Sequence, residues 1–103
     1  RAIRNDDFSP VSATTRADSI SVDLPANGRM AADYVKKSGG WAVTVSDERI
    51  LDSQLELTRE SGVLAEPAAA TAFAALEADR DHLVSVLGDN ASVVVLLTGS
   101  RTR

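Results

Sequence analysis

The sequence contains no cysteine and only one histidine, His82, among its 103 residues. The chain therefore has no disulfide scaffold, no thiolate nucleophile and no histidine cluster, and a transition-metal enzyme is not expected. The net charge is −4, with 15 acidic and 11 basic residues spread along the chain. Because there is no basic stripe, neither nucleic acid nor an anionic membrane surface is expected as a partner.

Long hydrophobic runs are also missing from the sequence. Its apolar runs are far shorter than the roughly 18 residues that a membrane-spanning helix needs. No charged and then apolar leader opens the chain, so we expect a cytoplasmic location. At 103 residues the chain is long enough for one hydrophobic core and short for a complete two-domain enzyme.

Five consecutive aliphatic residues stand at positions 93–97, and Thr98-Gly99-Ser100 follows them directly. Such a run is typical of a strand that is buried on both faces in the centre of a parallel sheet. Ligands bind beyond the carboxyl ends of such strands, so Thr98, Gly99 and Ser100 are predicted ligand contacts. An ordinary polar turn after a buried strand would explain the same three residues.

The rest of the sequence alternates strand patterns with helix patterns. Strands are predicted at residues 20–24 and 41–45. Helices are predicted at residues 29–38, from the N-cap Ser46 to about Glu60, from Pro67 to residue 78, and at residues 83–87. This order predicts an α/β fold, namely a parallel-sheet fragment with flanking helices. We assign residues 1–16 to an irregular lead-in and residues 17–103 to a partial α/β domain.

Two of the predicted helices have distinctive faces. The inward face of the helix after Ser46 is predicted from its apolar spacing to hold Ile50, Leu51, Leu55 and Thr58. The helix after Pro67 has a wall of alanines with little side-chain bulk, which suits a close approach to a sheet or to a cofactor.

Few residues could carry chemistry. The only lysines, Lys36 and Lys37, lie on the solvated face of a helix, whereas a Schiff-base lysine needs a desolvated pocket. Asp18 and Ser19 could line a site or form a simple turn, and Glu66 could lie near a ligand or cap a helix. No catalytic triad, phosphate loop or acidic metal cluster can be assembled, so no catalytic residue and no metal ligand is predicted.

Four segments, in this order, carry a resemblance to a known family. They are Thr15-Arg16-Ala17-Asp18-Ser19-Ile20, then Ser38-Gly39-Gly40 with Val45-Ser46-Asp47-Glu48-Arg49-Ile50-Leu51, then Gly62-Val63-Leu64-Ala65-Glu66-Pro67-Ala68, and finally Val94-Val95-Leu96-Leu97-Thr98-Gly99-Ser100. Together they resemble the C-terminal part of threonine synthase and its relatives among the fold-type-II pyridoxal-phosphate enzymes. The resemblance covers about residues 14 to 100.

The resemblance implies that pyridoxal 5′-phosphate is held between two α/β domains of a parent enzyme. This chain would supply the last strands and helices of the larger domain. Thr98 matches the hydroxyl residue that hydrogen-bonds the pyridine nitrogen in that family. Asp18 and Ser19 match a loop that passes the cofactor, and Glu66 matches the glutamate of a Glu-Pro motif near the site.

The resemblance also implies which parts this chain lacks. The Schiff-base lysine and the phosphate loop of the family lie upstream of the matching segments, so the chain alone is expected neither to catalyse nor to bind the cofactor covalently. The parent would convert O-phosphohomoserine and water into threonine and phosphate. The alternatives are a serine or threonine dehydratase as the parent, or a non-catalytic binding or assembly module of the same fold. The expected partners are an amino-acid substrate and either the rest of the enzyme or further copies of the chain.

Overall fold

The computed structural model describes residues 2–100 of the chain. Its helices are α1 (Ala2–Asn5), α2 (Gly28–Lys37), α3 (Asp47–Ser61), α4 (Pro67–Ala78) and α5 (Arg80–Leu87), and a short 3₁₀ turn lies at Asp18–Ile20. Helices α2 to α4 lie where the sequence patterns predict helices, and α5 covers the last predicted helix but begins earlier, at Arg80. The last three residues of the predicted domain, 101–103, lie outside the described residues.

The start of the chain differs from the predicted irregular lead-in, because α1 lies within it. Three contacts tie this region to α2 and to the segment after it: the Arg4 guanidinium donates to the carbonyl of Ala42 at 3.0 Å, Lys36 pairs with Asp6 at 2.5 Å, and α1 packs on α2. The sequence analysis missed α1 because a helix of one turn has almost no period of its own and depends on such tertiary contacts.

Helix α3 begins and ends at the predicted signals. The side chain of Ser46 accepts the backbone N–H of Arg49 at 3.2 Å, which satisfies one donor of the first turn. At the other end Gly62 adopts a left-handed conformation with φ of 73°, and its N–H donates to the carbonyl of Thr58 at 3.0 Å. Both caps depend on neighbouring residues, so the sequence specified them without tertiary information.

The core lies between α3 and α4, and it is built mostly from alanine. Its buried apolar residues are Ala17, Ile50, Ala65, Ala69, Ala70 and Ala74. Since alanine side chains are short, α4 lies close against α3. The alanine wall therefore faces a helix in this structure and not a sheet. Each methyl contributes only about 0.8 kcal/mol on burial, so this core is small.

The buried face of α3 differs from the prediction at three positions. Leu55 is 49% exposed, whereas Ser53 and Gln54 are buried. Tertiary hydrogen bonds explain the two buried polar residues: the Gln54 amide donates to the carbonyl of Ala65 at 2.7 Å, and the Ser53 hydroxyl donates to Glu77 of α4 at 2.5 Å. A buried polar group is tolerated when it has such a partner, and apolar spacing alone does not reveal the partner.

The predicted parallel sheet is not formed by residues 2–100. The one β contact in this range is an isolated antiparallel bridge between Ala65 and Ser100. Residues 93–97 are unpaired and are not buried on both faces, since Val94 is 85% and Leu96 72% exposed. A strand needs a neighbour to pair with its N–H and C=O groups, and no described segment pairs with residues 93–97 in this way.

The two other predicted strands are unpaired as well. Ile20 closes the 3₁₀ turn, Val22 and Leu24 are about half exposed, and residues 41–45 form no ladder with any described segment. Period-two patterns indicate which residues would share a face of a strand, but they do not provide its partner. The regular secondary structure of residues 2–100 is therefore helical, and the three predicted strands are unpaired apolar segments.

Candidate functional site

Three stretches that are far apart in sequence meet at one place. The Ser19 hydroxyl, in the 3₁₀ turn, donates to Glu66 Oε2 at 3.3 Å across 47 positions of sequence. The backbone N–H of Glu66 in turn donates to the carbonyl of Gly99 at 3.1 Å. We call the set of residues 18–19, 66 and 98–100 the junction. It contains all six residues that the sequence analysis named as candidate site residues.

Small buried residues let these stretches approach one another. Ala17 and Ala65 are each 1% exposed, and they directly precede Asp18 and Glu66. The bridge from Ala65 to Ser100 fixes the end of the described chain beside the start of α4. A larger side chain at either alanine would separate the backbones, because close-packed interiors tolerate little added volume.

Glu66 precedes α4 without capping it through its side chain. Its backbone is extended, its carbonyl accepts the N–H of Ala70 at 2.9 Å, and its carboxylate forms no cap hydrogen bond. Glu66 therefore occupies the N-cap position of α4, but its carboxylate makes no hydrogen bond to the first turn. Pro67 occupies the first helical position, where its missing N–H would have no partner within the helix. The Glu66 side chain is left free to point into the junction.

The Glu66 side chain occupies the space beside Gly99. A Cβ built on Gly99 would lie 2.6 Å from Cδ and 2.9 Å from Cγ of Glu66. Real Cβ atoms do not approach other carbons so closely. Position 99 therefore accepts only glycine while the Glu66 side chain stays where it is.

Two hydroxyl groups of the junction are open to solvent. Thr98 and Ser100 are both exposed, and within residues 2–100 neither hydroxyl forms a hydrogen bond. Asp18 is exposed as well, and its backbone carbonyl accepts the N–H of Ser21 at 3.0 Å. The hydroxyl groups of Thr98 and Ser100 are thus open to solvent on either side of Gly99.

The loop before the 3₁₀ turn is fixed by Asp47, which lies in the first turn of α3. The Thr15 hydroxyl donates to Asp47 Oδ1 at 2.5 Å, and the N–H of Arg16 donates to Oδ2 at 2.9 Å. These two hydrogen bonds, together with the nearby charge of Arg16, lower the pKa of the Asp47 carboxyl. Thr15 and Arg16 lie 32 and 31 positions before Asp47, and no local pattern indicates such a pair.

Two carboxyl groups face each other between α3 and α4. A hydrogen bond with Glu77 and repulsion by its charge raise the pKa of Glu56, and Glu60 adds to the repulsion. Two like charges in contact favour a shared proton. This pair lies on the helix pair and outside the junction.

The two lysines and the single histidine lie away from the junction. Lys36 and Lys37 are exposed on α2, as predicted. His82 is also exposed; its Nδ1 lies 3.2 Å from Asp79 Oδ2, and its ring lies 4.6 Å from the ring of Trp41. Among residues 2–100 no cluster of three or more histidine, cysteine or acidic side chains could hold a metal ion.

Two cavities lined by residues of the described range 2–100 lie outside the junction. The larger, of about 760 Å³, lies between the lead-in, residues 22–30 and Ala42. The smaller, of about 320 Å³, lies between residues 93–96 and the facing residues of α4 and α5, with Trp41 at its side. Neither cavity is lined by a residue of the junction.

No helix in residues 2–100 has the length and apolar character needed to cross a membrane.

Comparison with known proteins gives consistent matches. The sequence profile of the family described as "Pyridoxal-phosphate dependent enzyme" matches residues 1–99. The threonine synthase of Methanosarcina acetivorans is 38% identical over 85 residues, which are 82% of this chain and 20% of that protein. The threonine synthase of Methanocaldococcus jannaschii is 33% identical over 85 residues, with the same coverage of 82% and 20%. The chain thus spans about a fifth of the length of these curated relatives.

Proposed function

Because this chain belongs to the family of pyridoxal-phosphate dependent enzymes, we propose that it is the C-terminal part of a threonine-synthase-like lyase. The parent enzyme would convert O-phosphohomoserine and water into threonine and phosphate. The observation that carries this proposal is the match to two threonine synthases over 82% of the chain. The arrangement of the junction supports it, since the matching motifs around Ser19, Glu66 and Gly99 meet in space.

We further propose that the junction forms one wall of the cofactor site. Pyridoxal phosphate, when bound, supplies an electron sink for a negative charge at the substrate α-carbon. The residues present fit this group, because the hydroxyl of Thr98 is exposed and has no hydrogen-bond partner within residues 2–100. Thr98 would hydrogen-bond the pyridine nitrogen, with Gly99 and Ser100 beside it. A neutral hydroxyl holds the ring nitrogen in place without keeping it protonated as a carboxylate would.

Other residues of the junction would shape the site around Thr98. Asp18 and Ser19 would line the cofactor from the 3₁₀ turn, and Glu66 would lie behind Gly99. The covalent attachment would come from outside this chain, because Lys36 and Lys37 are exposed on α2 and Lys36 pairs with Asp6. The phosphate loop would come from the same missing region.

The rest of the enzyme would also complete the fold. We propose that residues 93–97 form a strand of a parallel sheet whose neighbours belong to the remainder of the parent domain. This assignment explains why the five aliphatic residues remain unpaired and why Val93, Val94 and Leu96 are exposed in the present chain. The parent would be a cytoplasmic enzyme with an amino-acid substrate.

The test uses the full-length protein that contains this chain. With O-phosphohomoserine we expect phosphate and threonine in equal amounts. Release of ammonia and a 2-oxo acid from serine or threonine would identify a dehydratase. No turnover of any of these substrates, with the cofactor bound, would indicate a non-catalytic module.

The Thr98 hydroxyl is tested in the same protein. Thr98→Ser should retain activity, whereas Thr98→Val should lose roughly 5- to 150-fold in kcat/KM, the equivalent of about 1 to 3 kcal/mol. Thr44→Val is the matched control, since Thr44 is exposed and lies outside the junction. Equal activity of Thr98→Ser and Thr98→Val would remove this hydroxyl from the mechanism.

A further inference from the structure

Gly99 differs from the glycines that the backbone requires. Gly39, Gly62 and Gly88 have φ values of 72°, 73° and 81°, in the left-handed region that disfavours other residues. Gly99 has no such φ, so its backbone conformation is open to any residue. The three atoms nearest to a Cβ at position 99 all belong to the Glu66 side chain, which is therefore the obstacle to any other residue there.

Glu66 contacts both of the turns that form the junction. Its carboxylate accepts the Ser19 hydroxyl on one side, and its side chain packs on the other side where a Cβ of residue 99 would stand. Its own N–H donates to the carbonyl of Gly99 at 3.1 Å. One residue therefore holds the peptide of Gly99 through its main chain and through its side chain.

We propose that Glu66 is a positioning residue that sets the Thr98-Gly99-Ser100 turn against the Asp18–Ile20 turn. Gly99 is its steric counterpart, because the missing Cβ provides the space that the Glu66 side chain fills. The position of residue 99 determines where the adjacent Thr98 hydroxyl points. The effect of this Thr98 position on a bound cofactor rests on the proposed function. The coupling between Glu66 and Gly99 does not rest on it.

The coupling predicts a specific pattern in a double-mutant cycle. Gly99→Ala should expel the Glu66 side chain and weaken the N–H to carbonyl hydrogen bond between the two residues. In a Glu66→Ala background that obstacle is removed, and the backbone at position 99 tolerates a side chain. Glu66→Gln keeps the length of the side chain and an oxygen that accepts the Ser19 hydroxyl, so it should behave like the unmodified chain.

The experiment is amide hydrogen exchange of the full-length protein that contains this chain, without cofactor, read at position 66 by two-dimensional NMR. We expect Gly99→Ala to accelerate exchange at this amide by roughly tenfold or more, and by less than roughly threefold when Glu66→Ala is already present. Gly62→Ala is the matched control. Any effect of Gly62→Ala on exchange comes from the φ of 73° at that position, because no atom lies within 4 Å of the added Cβ. This effect should therefore be the same with and without Glu66→Ala.

Each outcome decides the proposal. Equal acceleration by Gly99→Ala in both backgrounds would overturn it, as would a Glu66→Gln variant that exchanges as fast as Glu66→Ala. If Gly99→Ala unfolds the chain, the double variant decides: recovery of the far-ultraviolet helix signal supports the coupling, and continued unfolding contradicts it. Because no cofactor is present, this result is independent of the test of the proposed function.

Discussion

Helices α3 and α4 bury their apolar side chains against each other, whereas the aliphatic run at residues 93–97 leaves several of its side chains in solvent. Ile50 of α3 is 3% exposed and Val94 is 85% exposed, although both are β-branched aliphatic residues. The difference follows from the backbone. A helix satisfies its own hydrogen bonds and needs only one covered face, but a strand needs neighbours along its edges and over its faces.

This comparison indicates that the two regions have different roles. The helix pair holds the small core of the chain, whereas the aliphatic run leaves apolar side chains uncovered within residues 2–100. Exposed apolar side chains beside unpaired backbone groups favour association. We therefore expect the free chain to self-associate or to be only marginally stable.

The largest expected effect is on the helix pair. Ile50→Ala should lower the free energy of unfolding by about 2 to 5 kcal/mol, because it leaves a cavity in a core made mostly of alanine. Leu55→Ala is the matched control on the same helix, and its cost should stay within about 0.5 kcal/mol since Leu55 is 49% exposed. Urea unfolding followed by far-ultraviolet circular dichroism measures both. Similar costs for the two variants would contradict the assignment of the core.

The second effect concerns the aliphatic run. Val94→Asp should weaken self-association by at least roughly tenfold, the equivalent of about 1.4 kcal/mol, and leave the stability of the helix pair unchanged. In sedimentation equilibrium its apparent mass should fall towards the 10.9 kDa of a single chain. Tyr34→Asp is the matched control, because the Tyr34 side chain on α2 is also largely exposed, at 69%. It should leave self-association unchanged. A wild-type chain that is monomeric at all concentrations and melts cooperatively at high temperature would refute this prediction.

The smallest effect is the pH dependence of stability, which should arise from the helix pair and not from the aliphatic run. The folded chain raises the pKa of Glu56, so it binds more protons than the unfolded chain in the range between the ordinary and the raised value. The free energy of unfolding should therefore fall as the pH rises through that range. Glu56→Gln should remove this slope.

Asp47 provides the opposite slope. Its pKa is lowered by Thr15 and Arg16, so its contribution to the free energy of unfolding is present at pH values above the ordinary carboxyl pKa. This contribution is lost as the pH falls below that ordinary pKa. Asp47→Asn should remove that loss. Val94→Thr is the control for both variants, because residues 92–100 contain no titratable side chain. Urea midpoints measured across the acidic pH range test both slopes, and unchanged slopes in the two variants would show that these carboxyls are not their source.

The sequence predicted the helices better than the strands. The Ser46 cap, the proline at the start of α4 and the Gly62 cap all act within a few residues, so their effects are visible in the sequence. The strand at residues 93–97 was predicted from side chains alone. Its pairing depends on a neighbour that residues 2–100 do not supply, and this is why the predicted sheet is missing from the described chain.

The candidate site was predicted in part. The resemblance to the family named Thr98, Glu66 and Ser19, and the family itself is confirmed by the match to residues 1–99. Their roles toward a cofactor remain predictions. The sequence analysis did not find that Asp47 holds the loop before Asp18, because its partners lie more than 30 positions away.

By itself the sequence determined where α2 to α5 lie, how α3 is capped, and to which family the chain belongs, because these depend on residue types at short spacing or on ordered motifs. Only the tertiary structure decided that Ser53 and Gln54 are buried, that the Glu66 carboxylate accepts the Ser19 hydroxyl, and that the Glu66 side chain fills the space of a Cβ at position 99. Each of these depends on an atom of a residue distant in sequence. The position of such an atom follows from how the helices and turns pack and not from the local pattern.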